Sequence, residues 1–361
     1  MTNRRIAISG YYGFGNAGDE AVLAGLVLAF QKAARGNPVS LTALSINPDD
    51  TRHRHGISAR HRYRPAELIS AIANCDLLMS GGGSLLQDVT SAHGIFYYLG
   101  VIRLAQIMGK KTMFAAQGIG PLIRPRSRNL VAGIANKLDA ITVRDPESAD
   151  LLLEIGVRQR VQIMADPAIL LAEGARNRPG EGPVTVSLRS WENTNQSLPP
   201  MLAAACRDAL GATPIGTLAM QPAQDNSVLE QFRREWLQLT GQEATEFVNS
   251  GPDIERLPAV VRQLAASRLV VGMRLHALIL AAGAGIPSVA LAYDPKIESF
   301  MRFVGQEDAV ADIRAGGDAV REIIARVADD LPGRADRLKQ RLPALREAAV
   351  RNAQVALDLL P

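Results

Sequence analysis

The sequence contains little of several features that mark specialised protein classes. It has two cysteines among 361 residues, and neither Cys75 nor Cys206 lies near another cysteine or a histidine cluster. This pattern excludes a disulfide framework and a structural zinc site, and it predicts buried thiols in a reducing compartment. Aromatic residues make up only 4% of the chain. Because no recognition-helix signature is present either, we expect no nucleic-acid partner.

A strong charge excess and long apolar runs are also missing. The formal net charge is only +4, and six of the 40 basic residues are lysine, so the others are arginine. Such a small excess implies no polyanionic partner. The longest uncharged stretch, residues 277–293, is interrupted by Gly283, Gly285 and Pro287, which predicts a helix, a turn and a strand rather than a membrane span. The N-terminal residues contain no signal core, so we expect a cytoplasmic protein.

Short apolar runs alternate with helical patterns along nearly the whole chain. This alternation is typical of βαβ units and parallel sheets. The predicted strands cover residues 5–9, 39–46, 76–80, 111–117, 140–143, 161–165, 184–189, 213–220, 245–248, 269–272 and 288–292. The predicted helices between them include residues 19–34, 126–137, 227–239 and 253–266. The sequence therefore predicts the α/β class.

One segment divides this pattern into two halves. Residues 173–183 (EGARNRPGEGP) are rich in glycine, proline and charge, so we interpret them as a linker. The predicted organisation is an N-terminal Rossmann-like domain over residues 1–172, a C-terminal Rossmann-like domain over 184–311, and C-terminal helices over 312–361. We expect the two doubly wound domains to face a cleft, with ligands beyond the carboxyl ends of the strands.

Three loops that contain glycines follow predicted strands. Residues 13–18 (GFGNAG) match the dinucleotide fingerprint. However, Asp19 and Glu20 would repel a pyrophosphate, and residue 38 is a proline where such a site needs an acid. Residues 80–88 (SGGGSLLQD) could bring backbone N–H groups close to an anion or a sugar, and residues 117–121 (QGIGP) could do the same. A tight turn remains the alternative for both loops.

Several charged residues stand at strand ends in the first half and at the start of the second. Asp19 either complements a helix dipole or accepts a proton from a sugar hydroxyl. Arg144 follows a strand and either pairs with Asp145 at the surface or binds an anion. Arg189 ends another strand, and it too either forms an ion pair at the surface or binds an anion. Asp166 precedes a proline, and this dipeptide is commonly just a turn.

The strongest constellation follows the strand at residues 269–272. Arg274 and His276 stand at the start of the next helix, where cations oppose the helix dipole. The arrangement therefore favours an anion that completes it, although a histidine packed in the core is the alternative. Lys296 repeats the pattern after the next strand, with Asp294 as N-cap and Pro295 at the first helical position.

Taken in order, these motifs resemble the polysaccharide pyruvyl transferases, and most closely the bacterial CsaB type. The motifs that carry the resemblance are GFGNAGDE (13–20), GGGSLLQD (81–88), QGIGP (117–121), VRD (143–145), VSLR (186–189), RLHA (274–277) and DPK (294–296). They cover about residues 5–300. Each motif is short, whereas the ordered set is specific.

The resemblance implies a GT-B-like pair of Rossmann-like domains and an enzyme of the EC 2.5.1 type. Such an enzyme transfers the enolpyruvyl unit of phosphoenolpyruvate to a sugar, forming a 4,6-ketal with release of phosphate. In the CsaB type the acceptor would be N-acetylmannosamine in a lipid-diphosphate-linked precursor of secondary cell-wall polysaccharide, which serves S-layer anchoring. The resemblance implies no cofactor, since phosphoenolpyruvate is a co-substrate, and it implies transient contact with the inner face of the membrane.

The same resemblance suggests site residues. By position, the family's essential acid, arginine, histidine and lysine would be Asp19, Arg144, His276 and Lys296. We expect four cations to bind phosphoenolpyruvate: Arg144, Arg274, Lys296 and Arg189. We expect His276 to supply a proton and Asp19 to accept one from the sugar hydroxyl. The residues expected at the acceptor are Gly15, Asn16, Gly82, Gly83, Ser84 and Gln117. No metal is expected, because the cations already neutralise the phosphate.

Two other functional classes remain open at this stage. A nucleotide-sugar glycosyltransferase has the same two-domain architecture and would bind UDP or GDP. A noncatalytic sugar- or anion-binding protein would bind without turnover. The acceptor sugar, the stereochemistry of the ketal and the oligomeric state are not predicted.

Overall fold

The chain folds into two units, each built on a parallel sheet. The structure is a computed structural model that describes residues 4–89, 92–174, 180–191, 195–247 and 253–360. Contacts between Cα atoms assign residues 1–14, 19–170 and 344–361 to the first unit, and residues 15–18 and 171–343 to the second. Of the predicted linker 173–183, residues 175–179 lie outside the described ranges.

The first sheet has seven parallel strands in the order β3-β2-β1-β4-β5-β6-β7. The strands are β1 (Arg4–Tyr12), β2 (Val39–Ser45), β3 (Ser58–His61), β4 (Leu77–Gly81), β5 (Lys111–Gln117), β6 (Ala140–Val143) and β7 (Val161–Ile163). The helices that follow these strands are α1 (Ala17–Ala33), α2 (Pro48–His55), α3 (Pro65–Ala73), α4 (Ala92–Ile107), α5 (Pro125–Ala135), α6 (Pro146–Glu154) and a 3-10 helix (Pro167–Ala172).

The second sheet has six parallel strands in the order β10-β9-β8-β11-β12-β13. The strands are β8 (Val184–Ser187), β9 (Ile215–Leu218), β10 (Thr245–Phe247), β11 (Leu269–Gly272), β12 (Ser288–Ala292) and β13 (Val310–Asp312). The helices are α7 (Leu198–Leu210), α8 (Pro222–Thr240), α9 (Asp253–Ala265), α10 (Leu275–Gly283), α11 (Pro295–Phe303) and two 3-10 helices (Glu307–Ala309 and Ile313–Ala315).

Both sheets repeat the doubly wound strand order. In each, the first strand of the unit lies between its second and fourth strands, so the order in which successive strands join the sheet reverses beside that first strand. This topological switch point falls between β1 and β4 in the first sheet and between β8 and β11 in the second. Ligands of open α/β sheets bind at such points, beyond the carboxyl ends of the strands. The predicted class of two Rossmann-like domains is confirmed.

The central strands follow from their sequences, whereas two edge strands do not. All five residues of β4 are buried, as expected for a parallel strand covered by helices on both faces. The sequence SARH of β3 contains no apolar run, and β13 has only three residues. These two strands were missing from the prediction because pairing with β2 and β12 defines them. The predicted strand 245–248 corresponds to β10, which covers Thr245–Phe247, and Val248 lies outside the described ranges.

The C-terminal region is helical, as predicted. It consists of α12 (Gly317–Ala328) and the long α13 (Leu331–Asp358). The last part of α13 belongs to the first unit, where the buried Asn352 side chain accepts a hydrogen bond from the Thr142 hydroxyl (2.6 Å) and donates one to the Ala165 carbonyl (3.1 Å). No helix in the described ranges is long and apolar enough to cross a membrane.

Candidate functional site

The Gly81–Gly83 loop lies at the switch point of the first sheet. Gly82 and Gly83 have φ angles of 65° and 71°, a backbone region that favours glycine. The Gly82 N–H donates to the Ala115 carbonyl (2.8 Å), which ties the loop to β5. A Cβ atom on Gly82 would lie 2.1 Å from Val22 Cγ1 of α1. The glycines therefore allow α1 to pack directly against the loop.

Asp19 meets this loop. It lies in the first turn of α1 and is half-buried. A Cβ atom on Gly83 would lie 3.1 Å from Asp19 Oδ1, so the loop backbone closes against the carboxylate. The structure thus brings together Asp19, Gly82 and Gly83, which the sequence placed in separate motifs.

The neighbouring Glu20 has a different environment from Asp19. Its buried carboxylate accepts a hydrogen bond from the Gly13 N–H (2.8 Å), and its other oxygen lies 2.8 Å from His55 Nε2. These contacts hold the loop that leads into α1. Of the two acids in the GDE sequence, Glu20 fixes the loop, and Asp19 lies beside the glycines.

Gln117 is fully buried at the end of β5, with 0% of its surface exposed. Its amide nitrogen donates to the Gly83 carbonyl (3.1 Å), and its amide oxygen accepts from the Ser80 hydroxyl (3.2 Å). The observed role of Gln117 is to hold the Gly81–Gly83 loop in place. Its expected contact with the acceptor stays a prediction.

Arg144 lies just beyond β6 and is only 6% exposed. Its guanidinium donates to the Ser84 hydroxyl (2.7 Å) and to Asp166 Oδ2 (3.0 Å). A Cβ atom on Gly118 would lie 2.8 Å from Arg144 Nη2, so this glycine makes room for the guanidinium. Arg144 and Ser84, which the sequence placed in separate motifs, are therefore in contact. Asp166 is the counter-ion of Arg144.

Asp88 ends the GGGSLLQD motif and is buried. Its two carboxylate oxygens accept hydrogen bonds from the N–H groups of Ile123 (2.8 Å) and Arg124 (2.9 Å). Burial by itself would raise the pKa of Asp88. These N–H groups and the Ser127 hydroxyl outweigh that effect and lower its pKa below the usual range. Asp88 therefore joins the loop to the start of α5.

Replacing Asp88 with Asn should lower the free energy of unfolding by about 1–3 kcal/mol at pH 7, since buried donors lose a charged acceptor. The folded pKa of Asp88 is lowered, so its contribution is complete above the unfolded pKa of about 4 and is lost as the pH falls through the folded value. Urea unfolding of both proteins at pH 7 and pH 3 measures the difference. A difference that did not shrink at pH 3 would contradict this assignment.

In the second unit, Arg274 is the N-cap residue of α10. Its Nε lies 3.1 Å from both carboxylate oxygens of the fully buried Asp225, and its Nη2 also pairs with Asp225. The sequence predicted that an anion completes this helix start. The Asp225 carboxylate of α8 is one such anion. The motif itself gives no sign of Asp225. A charged side chain such as Arg274 needs a partner of opposite charge when it is partly buried, and this need is what could have pointed to Asp225.

His276 follows in the first turn of α10. A Cβ atom on Gly18 would lie 2.4 Å from His276 Nδ1 and 2.8 Å from its Cγ. Gly18 is among residues 15–18, which belong to the second unit. The glycine of the GDE sequence therefore leaves room for the imidazole ring.

Gly15 and Asn16 stand in the same short segment. Gly15 is exposed and has a φ of 72°, whereas the Asn16 side chain accepts a hydrogen bond from the Gly18 N–H (3.0 Å). The Ala17 N–H donates to the Met220 carbonyl (2.9 Å). Asn16 is thus the N-cap side chain of α1, and its expected contact with the acceptor stays a prediction.

Arg189 lies beyond β8, against two aromatic rings. Its Nη1 donates to the Tyr293 hydroxyl (3.1 Å), and its Cζ lies 5.3 Å from the Trp191 ring and 5.4 Å from the Tyr293 ring. Burial raises the pKa of Tyr293, although the Arg189 cation acts in the opposite direction. No carboxylate of the described residues lies within 4 Å of Arg189. Sequence reasoning missed Tyr293 as its partner.

Lys296 lies in the first turn of α11. Its N–H donates to the side chain of the N-cap residue Asp294 (3.0 Å), and its Nζ lies 3.4 Å from the other oxygen of that carboxylate. The local geometry matches the predicted cap. Arg144, Arg274 and Lys296 thus each have a carboxylate partner, whereas Arg189 is held by aromatic rings.

The strand order brings three of the expected residues together. Arg189, His276 and Lys296 follow β8, β11 and β12, which are adjacent parallel strands. They therefore stand at one edge of the second sheet, around its switch point. In the first sheet, Asp19, Gly83, Gln117 and Arg144 stand at or just beyond the carboxyl ends of β1, β4, β5 and β6.

Solved structures of enzymes that act on sugars have this fold. A UDP-GlcNAc 2-epimerase from Neisseria meningitidis bound to UDP-GlcNAc has a TM-score of 0.62 at 11% identity, with 99% of each chain covered. A glycosyltransferase from Rickettsia africae has a TM-score of 0.59 at 12% identity, covering 99% of this chain and 97% of that one. The spinosyn rhamnosyltransferase SpnG, complexed with spinosyn aglycone, has a TM-score of 0.55 at 15% identity, with 99% of each chain covered.

These likenesses show the fold alone, which is that of the GT-B glycosyltransferases. No curated protein matches the sequence significantly. The family profile described as polysaccharide pyruvyl transferase matches residues 16–295, which include five of the seven motifs completely and most of the first and the last. The chain belongs to the polysaccharide pyruvyl transferase family.

Proposed function

We propose that this protein transfers the enolpyruvyl unit of phosphoenolpyruvate to a sugar as a 4,6-ketal, with release of phosphate. The observation that carries the proposal is the position of Arg189, His276 and Lys296 around the switch point of the second sheet. A small dianion requires cations close together, and a proton donor must stand beside them. All three residues follow adjacent strands of the second sheet, so we expect one short ligand to contact them.

Arg189 is the cation best suited to the donor. It has no carboxylate within 4 Å among the described residues, and its Nε is buried without a hydrogen-bond acceptor there. A carboxylate or phosphate oxygen would complete this guanidinium. Lys296 adds a point charge at the start of α11, where backbone N–H groups also favour an anion. Arg274 pairs with Asp225, and its expected contact with phosphoenolpyruvate stays a prediction.

The proposed reaction balances with two sugar hydroxyls. A proton from His276 to C3 of the enol phosphate turns the methylene into a methyl group and leaves C2 electrophilic. The first hydroxyl attacks C2, and its proton passes to Asp19. The second hydroxyl then replaces phosphate at C2, and its proton leaves with the phosphate. Two C–O bonds to C2 form and one breaks, and no oxidant or reductant is needed.

On the acceptor side, we propose N-acetylmannosamine in a lipid-diphosphate-linked precursor of secondary cell-wall polysaccharide, the substrate of the CsaB type. The exposed Gly15 and the half-buried Asp19 and Ser84 supply polar groups for a sugar. Such an acceptor implies a cytoplasmic enzyme that contacts the inner face of the membrane transiently. The proposal includes neither a cofactor nor a metal.

Phosphate release tests this function directly. The protein is incubated with phosphoenolpyruvate alone and together with a lipid-diphosphate ManNAc-GlcNAc acceptor, and we expect release only with the acceptor. A glycosyltransferase, the alternative suggested by the fold, would instead be stabilised against heat by UDP or GDP and not by phosphoenolpyruvate. Binding of phosphoenolpyruvate without turnover on any amino sugar would support a binding protein.

Replacing Arg189 with Ala should raise the KM for phosphoenolpyruvate by about 10- to 100-fold, since a hydrogen bond to a charged group is lost. The KM for the acceptor should change little. Arg207→Ala is the matched control, because the Arg207 side chain is 41% exposed and pairs with its neighbour Asp208 in the last turn of α7. If both variants kept the wild-type KM for phosphoenolpyruvate, Arg189 would have no role in donor binding.

A further inference from the structure

A second arginine in the chain is surrounded by aromatic rings, and it lies in the first unit. Arg62 follows β3 and is only 2% exposed. Its Cζ lies 4.3–5.3 Å from the ring centroids of four aromatic residues, which are Phe14, Tyr63, Tyr97 and Tyr98. We call these five residues the Arg62 cluster. It includes three of the six tyrosines in the sequence.

Arg62 holds the cluster without a carboxylate partner. Its Nη1 donates to the Gly10 carbonyl (2.6 Å), and its Nε has no acceptor among the described residues. No described carboxylate lies within 4 Å of it. Cation–π contacts with several rings stabilise such a charge and fix the positions of the rings. Arg62 therefore acts as the centre that orients the aromatic side chains.

The Arg62 cluster and Asp19 lie at the same edge of the first sheet, since Arg62 contacts the Gly10 carbonyl of β1 and Asp19 follows that strand. The negative charge of Asp19 is close enough to contribute to the raised pKa of Tyr11 and of Tyr98, where burial is the main cause and raises the pKa of Tyr98 to about 12. The Tyr11 and Phe14 rings stack 4.0 Å apart. Because β1 and β3 belong to the same parallel sheet, their carboxyl ends bring these residues to the edge that holds Asp19.

Part of the cluster is open to solvent. Tyr63 is 55% exposed, and its ring meets the half-buried Tyr97 edge to face at 5.3 Å. The Tyr97 hydroxyl donates to the Arg62 carbonyl (3.1 Å). An exposed ring with a phenol group, next to a second ring of fixed orientation, suits a ligand that has an apolar face and a polar rim. A saccharide has this chemistry.

We propose that Tyr63 and Tyr97, oriented by Arg62, bind the acceptor saccharide at the sheet edge that holds Asp19. The inference rests on the proposed function and names the acceptor side of that site. A neutral sugar fits better than an anion, because Arg62 is only 2% exposed whereas Tyr63 is 55% exposed. The rings bind one face of the sugar, and Asp19 accepts the proton of its hydroxyl.

The test compares acceptor and donor kinetics in Tyr63 variants. Tyr63→Ala should raise the KM for the ManNAc-GlcNAc acceptor about tenfold, with the KM for phosphoenolpyruvate within twofold of wild type. Tyr63→Trp keeps a flat ring and should restore acceptor binding. Leu153→Ala is the matched control, since Leu153 is a 71% exposed apolar residue of the same unit. Thermal unfolding of each variant checks that it is folded.

The outcomes separate this proposal from the proposed function. If the wild-type protein releases no phosphate with any acceptor, the proposed function fails. If the wild type is active but Tyr63→Ala and Tyr97→Ala both keep the acceptor KM within twofold, the acceptor site lies elsewhere and this inference fails. The inference also fails if Tyr63→Ala and the control Leu153→Ala raise the KM for the acceptor and the KM for phosphoenolpyruvate equally. Such a result would indicate a general loss of structure.

Discussion

A His276→Gln variant should lose most of its turnover, with kcat about 10²- to 10⁴-fold lower, since that is the usual contribution of a positioned acid. Glutamine keeps much of the size and can donate a hydrogen bond, but it cannot give up a proton. The KM for phosphoenolpyruvate should stay within a few-fold of wild type, because Arg189 and Lys296 remain. Steady-state phosphate release with the amino-sugar acceptor measures both constants.

The control for this variant is another histidine. His53 is exposed on α2 in the first unit, and His53→Gln should keep wild-type kinetics. Near-normal turnover of His276→Gln would falsify the assignment of His276 as the acid. A rise in KM alone, with kcat unchanged, would instead give His276 a role in binding.

The second large effect is expected at Asp19. Asp19→Ala should lower kcat by about 10²- to 10⁴-fold, because the attacking hydroxyl loses its proton acceptor. Binding of phosphoenolpyruvate should persist, since the cations Arg189 and Lys296 remain. Titration calorimetry with phosphoenolpyruvate measures the binding, and phosphate release measures the turnover.

Asp49→Asn serves as the control for Asp19, because the Asp49 side chain is 91% exposed in the same unit. It should keep both turnover and donor binding. Loss of phosphoenolpyruvate binding in Asp19→Ala would contradict a role confined to the acceptor. Retained turnover would show that another group accepts the proton.

The four cations expected to bind phosphoenolpyruvate differ in how they are paired within the protein. Arg144 and Arg274 are tied to Asp166 and Asp225 in largely buried pairs. Removing one partner of a buried pair leaves an uncompensated charge, which is strongly destabilising. Variants of these arginines would therefore mix loss of structure with loss of binding. Arg189 is a better probe of donor binding, because its replacement leaves no buried carboxylate unpaired.

Much of the fold could be predicted because it depends on local patterns. The alternation of apolar runs and helical segments predicts two parallel sheets, and the central strands β4, β5 and β11 lie where the sequence placed them. The cap at Asp294 was also predictable, since an N-cap contacts N–H groups within its own turn. The edge strand β3 was missed, because its pairing with β2 rather than its own composition defines it.

The site was predictable only in part, for a related reason. The sequence identified Asp19, Arg144, Arg189, His276 and Lys296 as residues after strands. It could not give their neighbours, because these come from distant parts of the chain. Asp225 stands 49 positions before Arg274, and Tyr293 stands 104 positions after Arg189. The sequence also did not predict that Gln117 is buried and hydrogen-bonded to the Gly81–Gly83 loop.

The sequence by itself determined the family and the order of the motifs, because short segments with fixed glycines and charges specify loops and helix starts locally. Only the tertiary structure decided which charges are paired within the protein and which aromatic rings surround Arg62 and Arg189. These contacts depend on strand order, and parallel strands that are adjacent in a sheet are separated in sequence by whole helices. The physical reason is that a loop sequence fixes a backbone conformation, whereas the electrostatic environment of its side chains comes from neighbouring strands.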